Sequence, residues 1–115
     1  MFQSLEIFEL ATARARHASE RQTLVARNVA NADTPGYRAQ DLPSFEEAFR
    51  ASSPNGPAQL DLARRIDAPG PASPNGNTVS LELEMVRGVD AQRSHSRALM
   101  VYQSAMNVLR TSLGR

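Results

Sequence analysis

Side chains that could carry catalysis or bind a metal are few in this 115-residue sequence. His17 and His95 could serve as general bases or ligands, but no His-x3-His or Glu-x-x-His spacing accompanies them. Glu82 and Glu84 are two positions apart, so on a helix they point to different faces and form no acid–base pair. No serine lies in a Gly-x-Ser-x-Gly elbow, and no Gly-rich phosphate loop is present. The sequence therefore predicts a protein that is not an enzyme and needs neither cofactor nor metal.

The most specific chemistry is that of a turn, in the run Asn-Val-Ala-Asn-Ala-Asp-Thr-Pro-Gly-Tyr at 28–37. Pro35 disfavours helical geometry in the residue before it, so the preceding helix should end near Ala32. Gly36 can take the positive φ that the third position of a type II turn requires, and Tyr37 can pack back on the turn. The predicted turn motif comprises Asn28, Asn31, Asp33, Thr34, Pro35, Gly36 and Tyr37.

A long amphipathic helix, predicted over 4–32, leads into this turn. Its apolar stripe has a heptad-like spacing of three and four and is rich in alanine. Small side chains let helices approach closely but bury little surface each, so the stripe should be effective only in a tight bundle. The stripe consists of Phe8, Ala11, Ala15, Ala18, Gln22, Val25, Val29 and Ala32.

A second long helix is predicted over 79–115, with Thr78 or Ser80 as its N-cap. Its predicted stripe consists of Met85, Val89, Gln92, Ser96, Leu99, Tyr102, Met106, Leu109 and Leu113. The polar middle of that stripe suits contact with polar groups on a neighbouring subunit. The two helices together predict an all-α fold, and the family resemblance given below implies that they pair as an antiparallel coiled-coil hairpin. Its predicted seam comprises Ala11, Ala15, Ala18, Val25, Val89, Leu99, Met106 and Leu109.

The residues between the helices divide into two parts. The first part, to residue 51, contains a short predicted helix with Ser44 as N-cap and Glu47 three residues later, a capping box. Residues 52–78 hold five prolines and three glycines and predict an irregular, exposed insertion, in which Ser-Pro-Asn-Gly occurs at 53–56 and again at 73–76. We therefore predict one domain of three segments, 1–51, 52–78 and 79–115.

The amino-acid composition limits the kinds of partner that this protein is predicted to bind. The net charge is +1 and only 5% of residues are aromatic, so a nucleic-acid surface is not predicted. No stretch approaches the roughly 20 apolar residues of a membrane span, so direct membrane insertion is not predicted either. The N-terminus lacks the basic and apolar regions of a cleaved signal peptide, so export would need another route.

The spacing Asn-x-x-Asn-x-x-Thr-Pro-Gly-Tyr resembles the N-terminal signature of the bacterial flagellar axial family of rod, hook and hook-associated proteins. The segments Val79–Val86 and Leu109–Leu113 are similar to the C-terminal helix of the short proximal rod proteins in that family. The resemblance implies a structural subunit of the basal-body proximal rod, stacking helically to transmit torque from the MS ring towards the distal rod and hook, and needed for motility. Implied partners are copies of itself, other rod proteins, MS-ring and rod-adaptor proteins, and the type III export apparatus. The implied location is the rod where it crosses the periplasm.

Three alternatives stay open at this point. One is the sister proximal rod protein, which shares the N-terminal signature. Another is a soluble helical adaptor or export chaperone whose alanine seam closes within one chain. The last is an interfacial membrane binder using Phe2, Leu5, Ile7 and Phe8, which the acidic Glu6 disfavours.

Overall fold

The computed structural model describes residues 2–52, 60–68 and 70–114, most of which lie in two long helices. Between the long helices a short helix and two very short strands occur. The predominance of helix agrees with the all-α prediction, and no strand-rich fold is present in the described part of the chain. In chain order the elements are α1 (Phe2–Ala30), β1 (Gln40–Asp41), α2 (Phe45–Ser52), β2 (Ile66–Asp67) and α3 (Leu81–Ser112).

The two long helices pack side by side and run antiparallel over nearly their full length. Asn28 Nδ2 donates to Glu84 Oε1 across 2.6 Å, near the end of α1 and the start of α3. Half-way along, Gln22 Nε2 donates to Gln92 Oε1 across 2.7 Å. At the far end the rings of Phe8 and Tyr102 meet edge to face, with centroids 4.9 Å apart. We call the turn side of the hairpin, near Asn28 and Glu84, the closed end, and the opposite side the open end.

Small residues line the contact between the two helices. Ala11 and Ala18 of α1 are buried, and so are three alanines of α3 spaced seven residues apart, Ala91, Ala98 and Ala105. An alanine in such a seam lets the two backbones approach closely, but each contributes little hydrophobic burial. The hairpin therefore depends on additional contacts along its length.

The predicted seam needs correction on α3. Val89 and Leu99 are 50% and 52% exposed, because α3 turns a different stripe towards α1. The sequence argument followed the largest apolar side chains, whereas the buried positions hold alanines and, near the start of α3, charged side chains. Of the other predicted seam residues, Ala15, Val25, Met106 and Leu109 are half-buried.

The short helix α2 packs on the outside of α1. Ser44 Oγ accepts a hydrogen bond from Glu47 N across 3.2 Å, so the predicted N-cap is present. Phe45 is buried in a small cluster with Ala13 and Leu60. His17, one of two histidines, lies beneath α2, where its Nε2 is 2.8 Å from Pro43 O and its ring meets Phe45 edge to face.

The segment before α3 crosses back over α1 and is only partly exposed. β2 pairs antiparallel with β1, with Gln40 opposite Asp67. Buried residues occur at Leu60, Ala68, Asn77 and Thr78, contrary to the exposure predicted throughout this segment. The second Ser-Pro-Asn-Gly run forms a turn in which Gly76 N donates to Ser73 O across 2.8 Å. The first run, at 53–56, lies outside the described residues.

The start of α3 is capped by Ser80, whose side chain accepts from Leu83 N. Ser80 rather than Thr78 is therefore the N-cap, because Thr78 makes its hydrogen bonds with other residues. Among the residues the structure describes, no helix combines the length and apolar character needed to cross a bilayer.

Candidate assembly site at the closed end of the hairpin

The Thr-Pro-Gly-Tyr turn forms immediately after α1. The helix ends at Ala30, two residues earlier than predicted. Tyr37 N donates to Thr34 O across 3.2 Å, and Gly36 has φ of +73°, as a type II turn requires at its third residue. Because a side chain with a Cβ is strained at that φ, the glycine is dictated by the backbone.

Asn28 is the centre of the site. It is 1% exposed, and its amide is fully used. Its Oδ1 accepts from Tyr37 Oη across 3.0 Å and from Gln40 N across 3.2 Å. Its Nδ2 donates to Gln40 O across 2.8 Å and to Glu84 Oε1 across 2.6 Å. A side-chain amide has two donors and two acceptor lone pairs, so Asn28 satisfies all four while joining α1, the chain after the turn and α3.

A chain of charged side chains continues from Asn28 through the interior. Glu84 is 0% exposed and accepts from Arg87 Nη1 across 2.8 Å. Arg87 Nε lies 3.8 Å from Asp41 Oδ2. Asp41 also receives two hydrogen bonds from Arg21, at 3.0 and 3.2 Å. Buried charges are stable only when paired and hydrogen-bonded, and here two carboxylates alternate with two guanidinium groups.

The segment leading into α3 clamps the turn from the other side. Asn77 Nδ2 donates to Asn31 O across 2.9 Å and to Thr34 O across 2.7 Å, so each of these carbonyl groups accepts a second hydrogen bond besides the one from the turn backbone. Thr78 N donates to Tyr37 O across 2.9 Å, and Thr78 Oγ1 accepts from Ala39 N across 2.8 Å. The turn is therefore held from both sides by its own chain.

The residues of the predicted motif separate into an inner and an outer set. Asn28 is buried and Tyr37 half-buried, and both take part in the polar network. Asn31 is half-buried, and its Nδ2 donates to Arg27 O across 2.8 Å. Outward-facing, exposed positions form a rim at the tip of the hairpin. This rim consists of Asp33, Thr34, Pro35 and Gly36.

Sequence reasoning missed the residues that hold the motif in place: Asp41, Asn77, Thr78, Glu84 and Arg87. The central hydrogen bonds join residues that are 20 to 56 positions apart in the sequence, so local spacing does not reveal these partners. The run Asn75-Gly76-Asn77-Thr78 was a usable signal, because Asn and Thr side chains commonly bond to nearby backbone groups.

The fold and the site together indicate the general class of this protein. It holds two long antiparallel helices together at a rigid Thr-Pro-Gly-Tyr turn and leaves large apolar side chains exposed along the outer surface. Among the described residues, no group of three His, Asp or Glu side chains could hold a metal ion. The geometry suits a subunit that packs against other subunits through its exposed apolar surface.

Comparison with known proteins identifies the family. No family model matches the chain. It is 32% identical to the flagellar basal body rod protein FlgB of Salmonella typhimurium, over 79% of this chain and 83% of that protein. It is 30% identical to FlgB of Cereibacter sphaeroides, over 81% of this chain and 82% of that one. A 62-residue match to FlgB of Agrobacterium fabrum is 42% identical and spans 54% of this chain but only 43% of that protein. The chain belongs to the family of the flagellar basal body rod protein FlgB, which sets aside the sister protein, FlgC.

Proposed function

We propose that this chain is a structural subunit of the proximal rod of the bacterial flagellar basal body, required for motility. The observation that carries the proposal is its membership of the FlgB family over most of its length. The hairpin supports it independently. Exposed large apolar side chains occur along α3, and contiguous apolar surface of this kind marks sites of protein association.

In this proposal the hairpin is a coiled coil that stacks helically with copies of itself and with other rod proteins. Contacts that are not related by a two-fold axis generate open helical stacks, which is what a rod requires. Torque would pass from the MS ring towards the distal rod through many such contacts in parallel. The proposed further partners are MS-ring and rod-adaptor proteins and the flagellar type III export apparatus. The proposed location is the rod where it crosses the periplasm.

The site residues take separate parts in this proposal. Asn28, Asn31 and Tyr37 fix the geometry of the turn, and the exposed rim meets neighbouring subunits. The alanine positions of α1 keep the helices close together. Val89 and Leu99, exposed in the single chain, become available for contacts between subunits.

The direct test is mass spectrometry of hook–basal bodies purified in detergent from the source cell. We expect the chain in a near-fixed ratio to the ring proteins, together with loss of swimming in a deletion strain. Absence from the basal body, with the chain free in the cytoplasm, would overturn the proposal and favour the adaptor alternative.

A further inference from the structure

An apolar groove runs along the open end of the hairpin, between α1 and α3. Two overlapping depressions of about 500 and 520 Å³ form it, sharing Ile7, Arg97 and Val101. Met100 on the same surface is 64% exposed and Val108 is 57% exposed. Surface of this size and composition on a single chain indicates a protein contact.

Charge distinguishes this groove from the other side of the hairpin. Among the residues that the structure describes, the ionisable side chains that line it are Arg97 and Arg14, both basic, and Arg14 is already paired with Glu46. The depression on the opposite side is lined by Glu9 as well as Arg16, and its aromatic pair is already packed. The open-end groove therefore favours the binding of an apolar helix that carries acidic residues beside its apolar face.

The first turns of α3 have this character. Four large apolar side chains are 50% exposed or more there, and two acidic residues accompany them. Within residues 2–52, 60–68 and 70–114, neither Glu82 nor Asp90 forms an ion pair, and neither does Arg97. The exposed apolar residues are Leu81, Met85, Val86 and Val89.

We infer that the open-end groove of one copy binds the first turns of α3 from a second copy, in a parallel, head-to-tail contact. The inference rests on the proposed rod function, because copies related by a screw axis along the hairpin keep the same direction. With one offset of 15 positions, about 22 Å along a helix, three pairs match at once. Glu82 then faces Arg97, Met85 faces Met100 and Val86 faces Val101.

A charge-exchange experiment tests the contact. Glu82→Arg and Arg97→Glu each place like charges together, so each should lower the number of copies per purified basal body by roughly tenfold. The double variant Glu82→Arg/Arg97→Glu restores the opposite pairing and should recover assembly and swimming. The two positions are 15 residues apart on one helix and cannot touch within a chain, so recovery can come only from contact between copies. Arg110→Glu, also on an exposed part of α3, is the matched control and should assemble normally.

Several outcomes would overturn the inference. Single variants that assemble normally would show that the groove is not used. A double variant that stays defective, although helical by circular dichroism, would assign the groove to a different protein while the rod function stands.

If the unaltered chain is absent from basal bodies, the proposed function itself has failed. The contact between copies can then be tested separately by disulfide cross-linking of the purified chain. The chain has no cysteine, so the variant Val86→Cys/Val101→Cys can form disulfides only through introduced thiols. When a mild thiol oxidant is added to accept the two electrons of each disulfide, we expect a ladder of oligomers from the purified full-length double variant. Neither single variant should form species larger than a dimer. No ladder would overturn the contact.

Discussion

The closed and open ends of the hairpin are stabilised in different ways. At the closed end, buried polar side chains bond to one another, and Asn28 alone makes four hydrogen bonds. At the open end, large apolar side chains such as Met100 and Val108 face solvent. The polar network is complete within one chain, whereas the exposed apolar side chains, which include Met85 on the outer surface of the closed end, gain burial only from another molecule. The contrast indicates a subunit whose polar interior is satisfied by its own chain and whose apolar surface requires neighbours.

The largest effect on the isolated chain is expected from Asn28→Leu. Leucine has the same branching and the same number of side-chain heavy atoms but forms no hydrogen bonds, so Glu84, Tyr37 and Gln40 lose the hydrogen bonds that they make with Asn28. Each buried polar group left unsatisfied costs about 1–3 kcal/mol, so we expect destabilisation of at least about 3 kcal/mol. Urea unfolding followed by circular dichroism measures it. The control is Asn107→Leu on the exposed surface of α3, which should unfold like the unaltered chain. Equal stability of the two variants would contradict the closed-end account.

A smaller loss is expected from Gly36→Val, which places a β-branched residue at φ of +73°. Nothing lies within 4 Å of the added Cβ, so the cost comes from backbone strain alone and should be about 1–3 kcal/mol. Gly36→Asn should lose less, because asparagine tolerates this conformation better. Thermal unfolding and swimming assays measure the effect, and normal behaviour of the valine variant would count against the turn geometry.

Gly88→Ala, within α3, is expected to stabilise the chain rather than destabilise it. The added Cβ would lie 3.6 Å from Val25 Cγ1, an ordinary van der Waals contact. Alanine is more favourable than glycine in a helix interior by about 0.5–1 kcal/mol, so the chain should become more stable by that amount. A lower melting temperature would show that the two helices approach more closely at this point than described.

The smallest effect on the isolated chain is expected from Met100→Ser at the open end. Its side chain is 64% exposed, so its removal should change the free energy of unfolding by no more than about 0.5 kcal/mol. Assembly into basal bodies should nevertheless fall. A variant that loses stability as Asn28→Leu does would contradict the distinction between the ends.

The turn was predictable from sequence because its determinants are local. Pro35 restricts the conformation of the residue before it, and Gly36 can adopt the positive φ that other residues avoid. Ser44 caps α2 through a hydrogen bond to a residue only three positions later. The stripes predicted both long helices, and the family resemblance added their antiparallel pairing. These features depend on residue types and short spacings, which the sequence displays directly.

The interior of the closed end was not predictable, because its partners are distant in sequence. The sequence showed Glu84 only as one of two glutamates that form no acid–base pair, but it is fully buried and hydrogen-bonds to Asn28 and Arg87. Arg21 lies outside the stripe predicted for α1, but it binds Asp41. The stripe on α3 was misplaced for a related reason. Side-chain size suggested Val89 and Leu99, whereas close helix packing selects alanine.

Amide hydrogen exchange on the full-length isolated chain tests most directly whether the closed end, and not the open end, is stably structured in the absence of neighbouring subunits. The amides of Ala39, Gln40 and Thr78 donate to Thr78 Oγ1, Asn28 Oδ1 and Tyr37 O, so we predict slow exchange there. Amides at 5–10 and 104–112, in the open-end turns of α1 and α3, should exchange much faster in the isolated chain and become protected in purified basal bodies. Equal protection of both ends in the isolated chain, or fast exchange at Gln40, would contradict the account.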